Sequence, residues 1–93
     1  MTTDTRHLLN TIEVTIKTHI LSIEKILIVN ETKLEKKEDR LSQYDMKLNL
    51  TDRQEDLRDQ LEEQISLIED EISTLQEVRD ALEEASFTIS FNI

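Results

Sequence analysis

One series of apolar residues, spaced seven apart, constrains this chain more than any other feature of its sequence. The series begins near residue 20 and runs to the middle of the chain as Ile20, Leu27, Leu34, Leu41 and Leu48. A strict seven-residue apolar repeat is typical of a helix that packs along one seam against another helix. The sequence therefore predicts a long α-helix over residues 4–48.

A second helix is predicted over residues 52–86, after a short turn at 49–51. Thr51 and Gln54 have the spacing of a capping box, in which each side chain accepts a hydrogen bond from the other residue's backbone N–H. A connection this short makes the two helices antiparallel neighbours. The stripe predicted to be buried on the second helix is Leu57, Leu61, Ile65, Ile68, Ile72, Leu75, Val78, Leu82 and Ala85.

The composition supports an all-α fold. The 93 residues include no Gly, Pro or Cys. Gly is the residue that tight hairpins and phosphate-binding loops require, so β folds, Rossmann-like folds and P-loop enzymes are disfavoured. Without Cys there are no disulfides and no thiolate metal sites. We expect residues 1–93 to form a single domain, a long antiparallel helical hairpin of the coiled-coil type.

The first helix has one weak point, near Asn30. Thr32 and Glu35 have the spacing of a second capping box, which would begin a new helix. A break over residues 30–32 is therefore one interpretation. The other is a continuous helix in which Asn30 is an interior polar residue that fixes register and oligomeric state.

The last seven residues follow a different pattern. Apolar and polar side chains alternate there, and alternation of β-branched and aromatic residues is typical of a strand. We expect an extended tail over 87–93. It would pack on its own helices or on the tail of another copy, or it would add to the edge of a partner's sheet. The tail peptide is defined by Phe87, Ile89, Phe91 and Ile93.

The first helix carries more apolar residues than one neighbouring helix can cover. A two-helix hairpin also has little interior of its own. We expect a second copy to supply the cover, which would make a four-helix bundle, at least as a homodimer; cover by the chain's own tail is the alternative. The predicted oligomer interface consists of Leu8, Ile12, Val14, Leu21, Ile28 and Val29.

The formal net charge is -10, and the acidic excess lies in the second half of the chain. It is interpreted either as a solvated face, partly paired with the basic residues between Lys33 and Arg40, or as a docking surface for a larger protein with a basic surface. Because such a helix repels phosphates, direct nucleic-acid binding is not expected. The predicted acidic partner-binding face consists of Asp59, Glu62, Glu63, Asp70, Glu77 and Glu84.

No side chains are spaced for catalysis. His7 and His19 would lie about 18 Å apart along a helix, too far to share a metal ion. We expect no enzyme activity, metal, cofactor, small-molecule substrate or membrane contact. The sequence favours a cytoplasmic, self-associating coiled-coil assembly or adaptor protein (in a host cytoplasm if viral). The alternative is a small acidic chaperone or inhibitor, of the secretion-chaperone or viral type, that mimics nucleic-acid charge or covers an apolar surface.

Overall fold

The computed structural model describes all 93 residues and contains two helices. Helix α1 spans Thr3–Asp45 and helix α2 spans Asp52–Asn92. Residues Met1–Leu27 and Thr74–Ile93 form one compact unit, here called the terminal unit, and Ile28–Ser73 form a second, the turn unit. Because the start of α1 groups with the end of α2, the helices run antiparallel. The predicted all-α antiparallel hairpin is therefore confirmed.

The side chains of α1 that are shielded from solvent follow a continuous heptad pattern. Their steps alternate between four and three residues, and Glu24 alone lies outside the series. The predicted series ends at Leu41, since α1 stops at Asp45 and Leu48 is 100% exposed in the turn. We call this set the α1 seam: Leu9, Glu13, Ile16, Ile20, Ile23, Leu27, Asn30, Leu34, Lys37, Leu41 and Tyr44.

Helix α2 has a matching seam, again with alternating steps of four and three. The prediction placed Leu57, Val78 and Ala85 in the buried stripe, and all three are exposed. That prediction was wrong because it followed apolar residues wherever they occurred, whereas a 3.5-residue repeat puts the polar residues Arg58, Arg79 and Ser86 at the corresponding seam positions. The α2 seam is Gln54, Arg58, Leu61, Ile65, Ile68, Ile72, Leu75, Arg79, Leu82, Ser86 and Ile89.

The predicted extended tail is wrong, because α2 continues to Asn92. Ile89 lies seven residues after Leu82 and extends the α2 seam by one more turn. The Thr88 hydroxyl donates to the Glu84 carbonyl at 3.0 Å, so this polar side chain is satisfied inside a helix. No Gly or Pro interrupts the helix before the chain ends. The heptad position of Ile89 and a helix without Gly or Pro therefore outweigh the alternation of apolar and polar residues over 87–93.

Helix α1 is continuous through Asn30, so the interpretation with a break at 30–32 is wrong. The Thr32 hydroxyl donates back to the Ile28 carbonyl at 2.9 Å and caps no helix. Asn30 is only 7% exposed, which places it in the interior of the hairpin, as the other interpretation required.

The predicted capping box at the start of α2 is confirmed. The Gln54 backbone N–H donates to Thr51 Oγ1 at 3.2 Å, and the Thr51 N–H donates to Gln54 Oε1 at 3.1 Å. The turn before it, residues 46–51, contains no residue with positive φ. The chain thus reverses direction without the glycine that tighter turns require.

Thr51→Ala tests the cap. Loss of the side-chain acceptor should lower the free energy of unfolding by about 1 kcal/mol. Urea unfolding followed by far-UV circular dichroism measures it. Thr74→Ala is the matched control, because Thr74 is an exposed α2 residue whose side chain makes no hydrogen bond. Equal stability of the two variants would contradict the capping role.

Ile89→Ser and Phe91→Ser distinguish a helical end from an extended one. In an alternating strand the two side chains lie on the same face, whereas in α2 Ile89 is half-buried and Phe91 is exposed. Ile89→Ser should therefore cost about 1–2 kcal/mol of unfolding free energy, and Phe91→Ser under about 0.5 kcal/mol. Thermal unfolding at low protein concentration makes the comparison, and equal losses would contradict the helical end.

Candidate interaction surfaces

The first candidate surface lies on α1 within the terminal unit, on the side away from the seam. Val14 is 66% exposed and Leu21 is 60% exposed, and they lie seven residues apart. All the predicted interface residues are exposed, with Ile28 and Val29 in the turn unit. At 100° per residue, one sector of about 140° holds the residues that we call the outer face of α1: Leu8, Thr11, Val14, Thr15, Thr18, Leu21, Ser22, Lys25 and Ile26.

The hydroxyl groups of this outer face donate hydrogen bonds to backbone carbonyls of α1 itself. Thr11 Oγ1 donates to the His7 carbonyl at 3.0 Å, and Thr18 Oγ1 donates to the Val14 carbonyl at 3.0 Å. Thr15 and Ser22 make the same bond to the carbonyl four residues back. Such bonds satisfy the donor of each hydroxyl within the helix. The outer face is thus more apolar than its composition indicates, a feature that sequence reasoning missed.

Four of the six charged residues on this part of α1 lie on one flank of the helix. Glu13 accepts from Lys17 Nζ at 2.9 Å and from Ser90 Oγ at 2.8 Å, which also ties α1 to α2. These two hydrogen bonds lower the pKa of the Glu13 carboxyl below its usual value. Their stabilisation is present above the ordinary carboxyl pKa and is lost as the pH falls through the lowered value. On the outer face itself, Lys25 is the only charged residue.

The tail residues form an aromatic pair on α2. Phe87 and Phe91 are one helical turn apart, with ring centroids separated by 6.1 Å, and they are 70% and 79% exposed. Ile89 is half-buried in the α2 seam, and Ile93 follows the last helical residue. The four residues of the predicted tail peptide therefore do not share one face.

The six residues of the predicted acidic face are all exposed on α2. Asp59 alone has a basic neighbour, Arg58, at 3.9 Å. The partial pairing with the basic residues between Lys33 and Arg40, which one of the two interpretations included, is absent, since all three ion pairs lie within one helix. The carboxylates of this face therefore remain available to a partner.

A groove in the turn unit, of about 500 Å³, is lined by polar groups from both helices. Lys37 Nζ donates to Gln64 Oε1 at 2.7 Å, so its partner is an amide and not a carboxylate. The Asn30 amide makes no hydrogen bond to another side chain or to the backbone of the chain, although it is largely buried. The lining residues are Asn30, Lys33, Lys37, Gln64, Leu67, Ile68 and Glu71.

The structure brings no three His, Asp or Glu side chains close enough to ligate a metal ion together. His7 and His19 are both exposed on α1. Neither helix contains an apolar stretch that is long enough to cross a membrane. Comparison with protein-family models, curated proteins and solved structures finds no match to this chain.

Asn30→Leu tests the cost of the buried amide. Replacing an amide that lacks a protein partner by an apolar side chain should raise the free energy of unfolding by about 1–3 kcal/mol. Denaturant unfolding at low concentration measures the change. Gln76→Leu, at an exposed amide on α2, is the matched control and should shift it by less than about 0.5 kcal/mol. A destabilised Asn30→Leu variant would contradict this description of the site.

Proposed function

We propose that this chain is a non-enzymatic protein–protein interaction module, a coiled-coil assembly or adaptor protein that associates with copies of itself. The observation that carries the proposal is the outer face of α1, with its exposed apolar side chains, hydroxyls bonded to backbone carbonyls and single charge. An exposed apolar stripe on a small helical chain favours a protein partner. The absence of Cys fits the reducing cytoplasm, where we place the assembly.

A second copy suits this surface because an apolar stripe complements itself. Val14 and Leu21 lie at heptad spacing, so two outer faces can pack side by side about a two-fold axis. Burying the exposed part of each such side chain contributes on the order of 1 kcal/mol, and a two-fold interface counts every residue twice. Lys25 need not oppose this packing, because its long stem lets the ammonium group reach water.

A second candidate function rests on α2. Its acidic face is exposed, and five of its six carboxylates have no basic partner in the chain. This favours a small acidic chaperone or inhibitor that covers the basic surface of a larger protein. Such a complex would weaken as salt rises, since exposed charges are screened.

Leu21→Glu tests self-association through the outer face. A carboxylate at the centre of the apolar stripe should reduce the association constant by at least about tenfold, because it would be buried without a partner. Sedimentation equilibrium at about 0.5 M salt measures the mass with charge contacts screened. The wild-type mass there should be at least twice the 10.9 kDa of one chain.

Leu67→Glu is the matched control for this experiment. Leu67 is a 57% exposed leucine on α2, comparable with Leu21 at 60%, and it lies outside the outer face. Its variant should keep the wild-type mass. A wild-type chain that sediments as a monomer, or equal losses in the two variants, would overturn the proposed function. Circular dichroism confirms that both variants remain helical.

A further inference from the structure

The α1 segment of the turn unit separates its charges onto opposite sides. Lys33, Lys36, Lys37 and Arg40 fall within one sector of about 100°, and the four acidic residues between positions 31 and 39 fall within another. Lys33, Lys37 and Arg40 follow each other at steps of four and three, so they line one edge of the helix. We call these three residues the basic row.

The basic row borders three grooves of the turn unit, with volumes of about 500, 310 and 130 Å³. Their lining includes the cations Lys33, Lys37, Arg40 and Lys47, and Glu71 is the one carboxylate among the lining residues. The α2 residues that line these grooves have mainly amide and apolar side chains. A chain with a net charge of -10 thus carries one locally positive surface.

None of these cations is neutralised within the chain. The three ion pairs are Lys17–Glu13, Arg58–Asp59 and Arg79–Asp80, all between residues on the same helix. Lys37 is bound to the Gln64 amide, and Lys47 lies 5.3 Å from the centre of the Tyr44 ring. Apart from Glu71, the acidic residues of α2 line none of the three grooves beside the basic row.

We propose that the basic row is a docking surface for three carboxylates on α2 of a second copy, two of which belong to the acidic face. Asp56, Asp59 and Glu63 are exposed and follow each other at steps of three and four. The basic row has the same two steps in the opposite order, four and then three. In an antiparallel alignment of the two helices, each cation of the row therefore lies opposite one carboxylate, over about 10 Å of helix. The sign of the charges and their spacing match, and of the three carboxylates only Asp59 has a basic neighbour in its own chain, at 3.9 Å, which favours another copy over an unrelated acidic protein.

This contact joins two different surfaces, unlike the outer face of α1, which would pack on itself. A head-to-tail contact of this kind adds copies beyond a closed dimer. Because it consists of exposed charge pairs, it weakens as salt rises, whereas apolar packing persists. Salt therefore separates the two interfaces experimentally.

The test uses two charge-reversal variants of the full chain, Lys33→Glu with Lys37→Glu, and Asp59→Lys with Glu63→Lys. Sedimentation velocity at about 0.02 M and about 0.5 M salt compares them with the wild type. The wild type should gain mass at low salt. Each double variant alone should lose that gain, with association at least about tenfold weaker. An equimolar mixture should recover it, because every reversed surface then finds an opposite charge.

Arg6→Glu with Arg53→Glu is the matched control, since it has the same net charge as the basic-row variant and both residues are exposed outside the basic row and the outer face of α1. It should keep the low-salt gain in mass. An equal loss in this control, a wild-type mass independent of salt, or a mixture that fails to recover association would overturn the proposal. Failure of the outer-face interface is distinguishable, because it appears as monomeric wild type at high salt.

Discussion

The pairing of two heptad seams is the interaction on which the rest of this structure depends. Every shielded residue of α2, and all but one of α1, occupies a seam position. Apolar side chains such as Leu27 and Leu61 fill most of these positions, and their burial drives the helices together. All other side chains are left outside the pair. A hairpin of this kind therefore leaves most of its side chains exposed, and these exposed side chains are the ones that can contact a partner.

Several polar residues within the seams are satisfied by hydrogen bonds to nearby side chains. Glu13 is bonded to Lys17 and Ser90, and Lys37 reaches the Gln64 amide. Two groups are exceptions: Arg58 Nε is buried without a hydrogen-bond partner, and the Asn30 amide, which lines the groove, has no protein partner. Polar seam positions restrict the registers in which two helices can pair, which an all-leucine seam would not do.

The helical hairpin and the cap at Thr51 follow from local sequence rules, so they could be predicted. The end of α2 could not, because residues 87–93 satisfy a strand pattern while Ile89 alone among them also satisfies the heptad pattern. The step from Leu82 to Ile89 carried the signal, but the polar seam residues Arg79 and Ser86 obscured it. The hydroxyl-to-carbonyl bonds of the outer face and the isolation of the basic row depend on side-chain geometry, which no spacing in the sequence specifies.

The central claim is that α1 packs by its seam on α2 and by its outer face on a second copy. A chain without Cys allows one spin label to be placed by Gln76→Cys, on an exposed α2 position outside both surfaces. Pulsed dipolar spectroscopy at about 0.5 M salt then reports distances between copies with charge contacts screened. A single narrow distance is predicted for a closed two-fold pair. The absence of any dipolar signal between copies would contradict the account.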